Sequence, residues 1–147
     1  MKDTIIFDLD GTLANIEHRL HYVKDGNSDW DGFFEACMDD EPILETIEIY
    51  NMIWMEGGAR GYDVGIYSGR SDQVMDETRW WLNEYLPGYD FLRMREAGDH
   101  QPDWKLKRSW AEEVKDKVLC VFDDRNQVVD MWRSLGTKCY QVAPGGL

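Results

Sequence analysis

The sequence is short of several features that would commit it to particular tasks. Its cysteines, Cys37, Cys120 and Cys139, are three in number and far apart. They make no CxxC pair and no zinc pattern, so buried, reduced thiols are expected rather than a disulfide frame. Histidines are equally few; His18 and His21 could share a helical face, but no chemistry below needs a histidine metal site. Lysine and arginine number 16 against 29 aspartates and glutamates, giving a net charge of −13. Such a surface repels a phosphate backbone and argues against broad binding to DNA or RNA. It leaves room for a pocket that receives one phosphate, where a bound cation and a few basic side chains reverse the field locally. No apolar run is long enough to span a membrane. The run after Met1-Lys2-Asp3-Thr4 covers only Ile5 to Phe7, too short for a secretion signal, so a cytoplasmic location is expected. No GxxxxGK[ST] phosphate loop occurs anywhere, so no P-loop kinase unit is expected.

What is present suits one globular domain over residues 1–147, able to bury roughly two thirds of its unfolded surface. Thr4-Ile5-Ile6-Phe7 is an apolar, β-rich run ending in Asp8-Leu9-Asp10-Gly11-Thr12. Residues 14–41 are polar and turn-rich, with Asp25-Gly26-Asn27-Ser28 as a loop signal. Falling straight after the first strand, they are expected to form a small cap over a site. Pro42 suits a first helical position, with Ile43, Ile47, Tyr50 and Trp54 on one face and Gly57-Gly58 at the end. Asp63 to Tyr67 reads as a strand leading into Ser68-Gly69-Arg70. Ser71 can cap a helix whose apolar face is Val74, Thr78, Trp81, Leu82 and Tyr85. Phe91 to Met94 is a weaker strand, and a helix from Asp103 presents Leu106, Trp110 and Val114. Val118 to Phe122 is an all-apolar strand ending in Asp123-Asp124. Val128, Met131, Trp132 and Leu135 form the last helical face, Gly136 stops it, and Lys138 to Val142 closes the sheet. The alternation predicts an α/β, Rossmann-like three-layer sandwich with a parallel sheet of about five strands.

In a parallel sheet the strand ends that carry Asp8 and Asp10, Ser68 and Arg70, and Asp123 and Asp124 lie along one edge, with Asp103 and Lys107 following the third strand. Carboxylates crowded this way repel one another unless a hard divalent cation holds them, so Mg²⁺ is expected. Each piece has a plainer reading. Asp-Gly-Thr is often only a turn, Ser68-Gly69-Arg70 can be a helix cap, and Asp103 with Lys107 can be a surface ion pair. Asp124 can cap a helix from Arg125, with Gln127 completing a capping box. Their joint occurrence in this order favours a site.

The order Asp8-Leu9-Asp10-Gly11-Thr12, Ser68, Lys107, Asp123-Asp124 resembles the four motifs of the haloacid dehalogenase superfamily, over the whole chain. A closer likeness is to the 3′-phosphatase domain of bacteriophage polynucleotide kinase-phosphatases. It rests on Phe7 to Leu13, Ser68-Gly69-Arg70, Arg95-Glu96-Ala97-Gly98-Asp99, the run Asp123 to Arg133, and Cys139 to Ala143. The missing phosphate loop departs from the bifunctional pattern and leaves a stand-alone phosphatase unit as the expectation. A bacterial or phage-infected cell fits the resemblance.

The resemblance and the needs of phosphate-ester hydrolysis together imply roles. Asp8 would be the nucleophile, forming an aspartyl-phosphate. Asp10 would be the general acid and then the general base. Mg²⁺ would be held by Asp8, Asp124 and the backbone carbonyl of Asp10, with Asp123 behind them. Ser68 and the Gly69 amide would hydrogen-bond the phosphoryl oxygens. Lys107 would neutralise charge, oriented by Asp103. Thr12 would fix the loop at the substrate, and Arg19 and Arg70 would contact the substrate phosphate, with a structural ion pair as the plainer reading for each arginine. His18, His21, Trp30, Phe33 and Phe34 would either stack on a base or form the cap's own small core.

The expected function is thus a Mg²⁺-dependent phosphomonoesterase for a nucleotide or polynucleotide 3′-phosphate, without an extended nucleic-acid groove. A 5′(3′)-nucleotidase or small-metabolite phosphatase is the alternative, and a non-enzymatic phosphoacceptor receiver a remote one. Receivers carry their phosphoacceptor after the third strand, where this chain has Met94-Arg95-Glu96.

Overall fold

Alternation along the first strand sets the layers. In the computed structural model, which describes residues 1–145, the elements in chain order are β1 (Thr4–Phe7), β2 (Ala14–Asn15), α1 (Trp30–Glu35), β3 (Glu41–Pro42), α2 (Leu44–Gly57), β4 (Asp63–Ser71), α3 (Met75–Tyr85), β5 (Phe91–Arg95), α4 (Asp103–Val114), β6 (Val118–Asp123), α5 (Asn126–Ser134) and β7 (Cys139–Gln141). Ile5 and Phe7 of β1 face α2 and α3, packing with Ile47, Tyr50, Trp81 and Leu82. Ile6 points the other way, to α4 and α5, among Leu106, Trp110, Val128 and Trp132. A strand buried on both faces needs this continuous apolar run. Burying each such aliphatic or phenyl side chain stabilises the fold by about 1.5–3 kcal/mol.

The five main strands lie in the order β5-β4-β1-β6-β7, every neighbour parallel. The chain passes from β1 to β4 on one side and returns to β6 on the other. The order therefore reverses at β1, the place where open α/β sheets bind ligands. Between β1 and α2 the chain makes an insertion, closed at its root by antiparallel pairing of Ala14 with Pro42 and Asn15 with Glu41. It carries a 3-10 helix (Glu17–Tyr22), α1, and a 3-10 turn (Ala36–Asp39).

Several local expectations are corrected. Pro42 sits in β3, and α2 starts two residues later, because closing the insertion demands extended backbone there. An edge position tolerates a proline that cannot donate. β4 continues to Ser71, beyond Tyr67. Its pairing with β5 jumps from Tyr67 to Ser71, so Ser68, Gly69 and Arg70 bulge out of the ladder. No side chain caps α5, whose N-cap position is Arg125; Asp123 Oδ1 accepts from the Arg125 amide at 3.1 Å just ahead of the helix. This leaves the Asp124 carboxylate free of the capping task. The three cysteines are buried and free. No helix among the described residues is long and apolar enough to cross a membrane.

Candidate active site

Register puts the chemistry at one edge. Phe7 of β1 pairs with Ile66 on one side and Phe122 on the other. One residue further, Asp8 and Asp123 emerge side by side. The buried Asp8 carboxylate receives Lys107 Nζ at 2.6 Å on Oδ1 and the Thr12 hydroxyl at 3.1 Å on Oδ2. Lys107, reaching in from α4, also donates to Asp123 Oδ2 at 3.1 Å. Asp124 Oδ1 lies 3.4 Å from the Thr12 hydroxyl. One oxygen from each of Asp8, Asp123 and Asp124 falls within 4.8 Å of the others. Gly11 permits this crowding: its φ is +84°, and a Cβ there would run into the Asp124 carboxylate.

Three carboxylates against one ammonium leave the cluster short of positive charge. Burial, and then the Asp123 charge, raise the Asp8 pKa well above its ordinary value despite Lys107. The same two causes push Asp124 up to about 6. Burial works against the Lys107 ammonium, but Asp123 and Asp8 outweigh it and raise its pKa. A carboxylate set in which Asp8 and Asp124 have raised pKa values fits a hard divalent cation, which would restore those two to their charged forms.

A second cluster lies beside it, and its charges balance. Arg19 and Arg70 are fully buried. Arg19 Nε and Nη2 donate to the two oxygens of Asp40, both at 2.8 Å, and Nη2 also reaches Asp10 Oδ1 at 3.0 Å. Arg70 donates from Nε to Asp10 Oδ1 at 2.9 Å, from Nη2 to Asp40 Oδ2 at 2.9 Å, and from Nη1 to Thr78. His18 Nε2 lies 2.6 Å from Asp40 Oδ1, and Trp81 Nε1 donates to the Asp40 carbonyl. Burial opposes ionisation of Asp10, but Arg70 and then Arg19 hold its pKa below the usual carboxylate value. Its side chain keeps 21% of its surface open.

These contacts alter three expectations. Arg19 and Arg70, expected at the substrate phosphate, instead fix Asp10, so the ion-pair reading describes them. Asp103 does not hydrogen-bond Lys107. It accepts from Arg95 Nη2 at 2.5 Å and from Arg125 Nη1 at 2.8 Å, and Asp123 takes the place beside the lysine. The insertion's aromatics divide: Phe33 is buried, with the Arg19 guanidinium 4.4 Å from its ring centre, while Trp30 is exposed and Phe34 half-buried. Ser68 and Gly69 lie on the bulge at the end of β4. Ser68 Oγ accepts from the Arg70 amide at 3.1 Å, leaving its own proton to donate. A Cβ on Gly69 would collide with Asp103. Asp40 and Arg125 escaped the sequence reading. Two arginines on an otherwise acidic chain near the motif were the one signal that a partner carboxylate was needed.

Above both clusters opens a cleft of about 650 Å³, with Asp8, Asp10 and Asp124 among its lining residues. Residues 2–147 match the family of the polynucleotide kinase PNKP phosphatase domain. The chain belongs to this family, a phosphatase branch of the haloacid dehalogenase superfamily. Membership sets the receiver alternative aside.

A protein of Autographa californica nuclear polyhedrosis virus, whose name assigns it to the bifunctional polynucleotide kinase/RNA ligases, is 31% identical over 137 residues, 89% of this chain and 18% of its own length. The Pnkp1/Rnl/Hen1 RNA repair complex contains a chain similar at a TM-score of 0.80 and 31% identity, covering 100% of this chain and 44% of that one. The class C acid phosphatase of Bacillus anthracis, solved with tungstate bound, shares the fold at a TM-score of 0.66 and 20% identity, over 99% of this chain and 68% of its own. The chain thus spans less than half the length of the first two relatives.

Proposed function

We propose that residues 1–147 form one Mg²⁺-dependent phosphatase domain that removes 3′-phosphates from polynucleotide or nucleotide ends. The observation that carries this reading is Asp8, held at the switch point with Lys107 on one oxygen and Thr12 on the other, inside a carboxylate set short of positive charge. Family membership supports the 3′-end, and the RNA repair complex that holds one relative supports RNA as well as DNA.

Asp8 attacks phosphorus, the ester P–O bond breaks, and Asp10 passes a proton to the leaving 3′-oxygen. Asp10 then takes a proton from the water that attacks the aspartyl-phosphate, releasing phosphate and restoring Asp8. Arg70 and Arg19 hold Asp10 ionised at rest, which readies it as the base. Its service as the acid requires a proton taken up before ester cleavage. Ser68 and the Gly69 amide bind phosphoryl oxygens, and Lys107 offsets their charge. Mg²⁺, held by Asp8, Asp124 and the Asp10 carbonyl, would supply neutralisation of the phosphoryl charge; Asp123 supports the set by anchoring Lys107.

The test is kcat/KM for 3′-phosphorylated RNA and DNA oligonucleotides, a 3′-nucleotide, a 5′-nucleotide and a sugar phosphate, with Mg²⁺ and with chelator. The 3′-phosphates should lead, and only with metal. Brisk turnover of 5′-nucleotides or sugar phosphates beside poor turnover of every 3′-phosphate would move the chain to the nucleotidase or metabolite class.

A further inference from the structure

The cleft is larger than a phosphate group requires, and its two walls differ in chemistry. The wall supplied by the insertion is mainly apolar: Ile16, Leu20, Val23, Trp30 and Phe34 line it, with Lys24 and Asp31 as its charged members. The facing wall is polar and includes Arg95, Asp99, Gln101 and Arg125. Trp30 keeps 53% of its surface exposed, although it is among the largest apolar side chains in the protein. Its ring stands edge-on to Phe33 at 5.6 Å and tilted beside Phe34 at 6.1 Å.

This wall is braced from below. Asp29 caps α1 by accepting from the Gly32 amide at 2.9 Å. Arg19 donates to the Phe33 carbonyl at 3.1 Å and lies over the Phe33 ring. The same arginine holds Asp10 and Asp40. The aromatic wall and the proton-transfer group are therefore fixed to one buried network.

We infer that the Trp30–Phe34 wall is the seat of the terminal nucleobase, and that stacking there, rather than contact with neighbouring phosphates, supplies the affinity for a nucleic-acid end. The inference rests on the 3′-phosphatase reading and adds to it which part of the substrate is held and by what. Two features select a base as the occupant. The nucleoside that carries the scissile phosphate is the one substrate portion tied within reach of Asp8. With a net charge of −13, the surface cannot release counterions from a phosphate backbone, whereas an aromatic face binds a base without needing charge. The Trp30 and Phe34 rings offer π-faces, on which any base can stack, so base type should matter little.

The test compares kcat/KM for wild type, Trp30→Ala and Trp30→Phe on three substrates. These are a single-stranded oligonucleotide with a 3′-phosphate, the same oligonucleotide with an abasic terminal residue, and glycerol phosphate. Wild type should favour the base-bearing end over the abasic one by about ten- to a hundred-fold. Trp30→Ala should erase that preference while leaving the abasic oligonucleotide and glycerol phosphate unchanged, and Trp30→Phe should restore much of it. Equal wild-type turnover of the base-bearing and abasic ends would overturn the inference alone. So would an equal loss on all three substrates in Trp30→Ala. Absence of turnover on every 3′-phosphate would overturn the functional reading and this inference with it.

Discussion

Two buried ionic clusters lie side by side at the strand ends, and they are built on opposite electrostatic principles. Around Asp8, three carboxylates share one ammonium. Around Asp10, two carboxylates, Asp10 and Asp40, meet two guanidiniums, Arg19 and Arg70. The first is short of positive charge, and the pKa values of Asp8 and Asp124 are raised there, which suits a divalent cation. The second is complete, and Asp10 is held ionised. Charge balance thus separates the group proposed to receive metal and phosphate from the one proposed to transfer a proton.

Removing one carboxylate from each cluster should therefore have opposite consequences. The largest effect is on turnover. Asp8→Asn should lower kcat by on the order of 10⁴-fold or more, since the amide is isosteric but not nucleophilic. The same change should leave metal-free stability equal or higher, because it relieves repulsion. A urea midpoint clearly below wild type would show that the cluster is not short of positive charge.

Next comes Asp40→Ala, which removes a carboxylate from the balanced cluster. Two buried arginines would lose their shared partner, and breaking a buried pair costs about 3–5 kcal/mol. Urea titration should report that loss without metal, and activity should fall as Asp10 loses its orientation. A near-neutral result would mean that water replaces Asp40 and that the cluster is not a closed network.

The smallest effect sharpens the contrast through pH. The Asp124 pKa is raised to about 6 in the metal-free fold from an ordinary 3.8. A raised carboxyl stabilises below its unfolded pKa and loses that contribution as pH climbs through the folded value. Metal-free stability should accordingly decline between about pH 4 and 6, by about 2 kcal/mol from this group. Asp124→Asn should remove that decline, raising metal-free stability at pH 7.5 and changing it little at pH 4. It should also weaken the stabilisation that Mg²⁺ brings at pH 7.5. Asp10 carries the opposite sign: its pKa is depressed, so its contribution disappears only on acidification below the ordinary carboxylate range. Stability rising smoothly from pH 4 to 7 without metal would contradict the picture of the first cluster.

The sequence by itself determined the sheet and the position of Asp8 at its edge. Continuously apolar strands, helices of matching face, and acidic residues directly after Phe7 and Phe122 are local properties of the chain. The parallel sheet then aligns those strand ends whatever the loops do. Lys107 was legible for the same reason, since a helix starting near Asp103 must present one turn to that edge.

What only the tertiary structure decided lies where partners are distant in sequence and the backbone is irregular. Asp40 carries no motif, and its role exists only because the insertion folds back and sets it against arginines at positions 19 and 70. Whether those arginines face a substrate or a carboxylate depends on burial, which residue type does not encode. The same holds for Asp103, within reach of Arg95, Arg125 or Lys107 by sequence, but directed to the first two by the β4 bulge and the approach of β5. The division of Phe33 from Trp30 follows from a helix of six residues, α1, too short for periodicity to reveal which side faces inward. Local patterns specify which groups are delivered to an edge; the pairing of charges there is a long-range outcome of packing, where desolvation makes an unpaired ion too costly to keep.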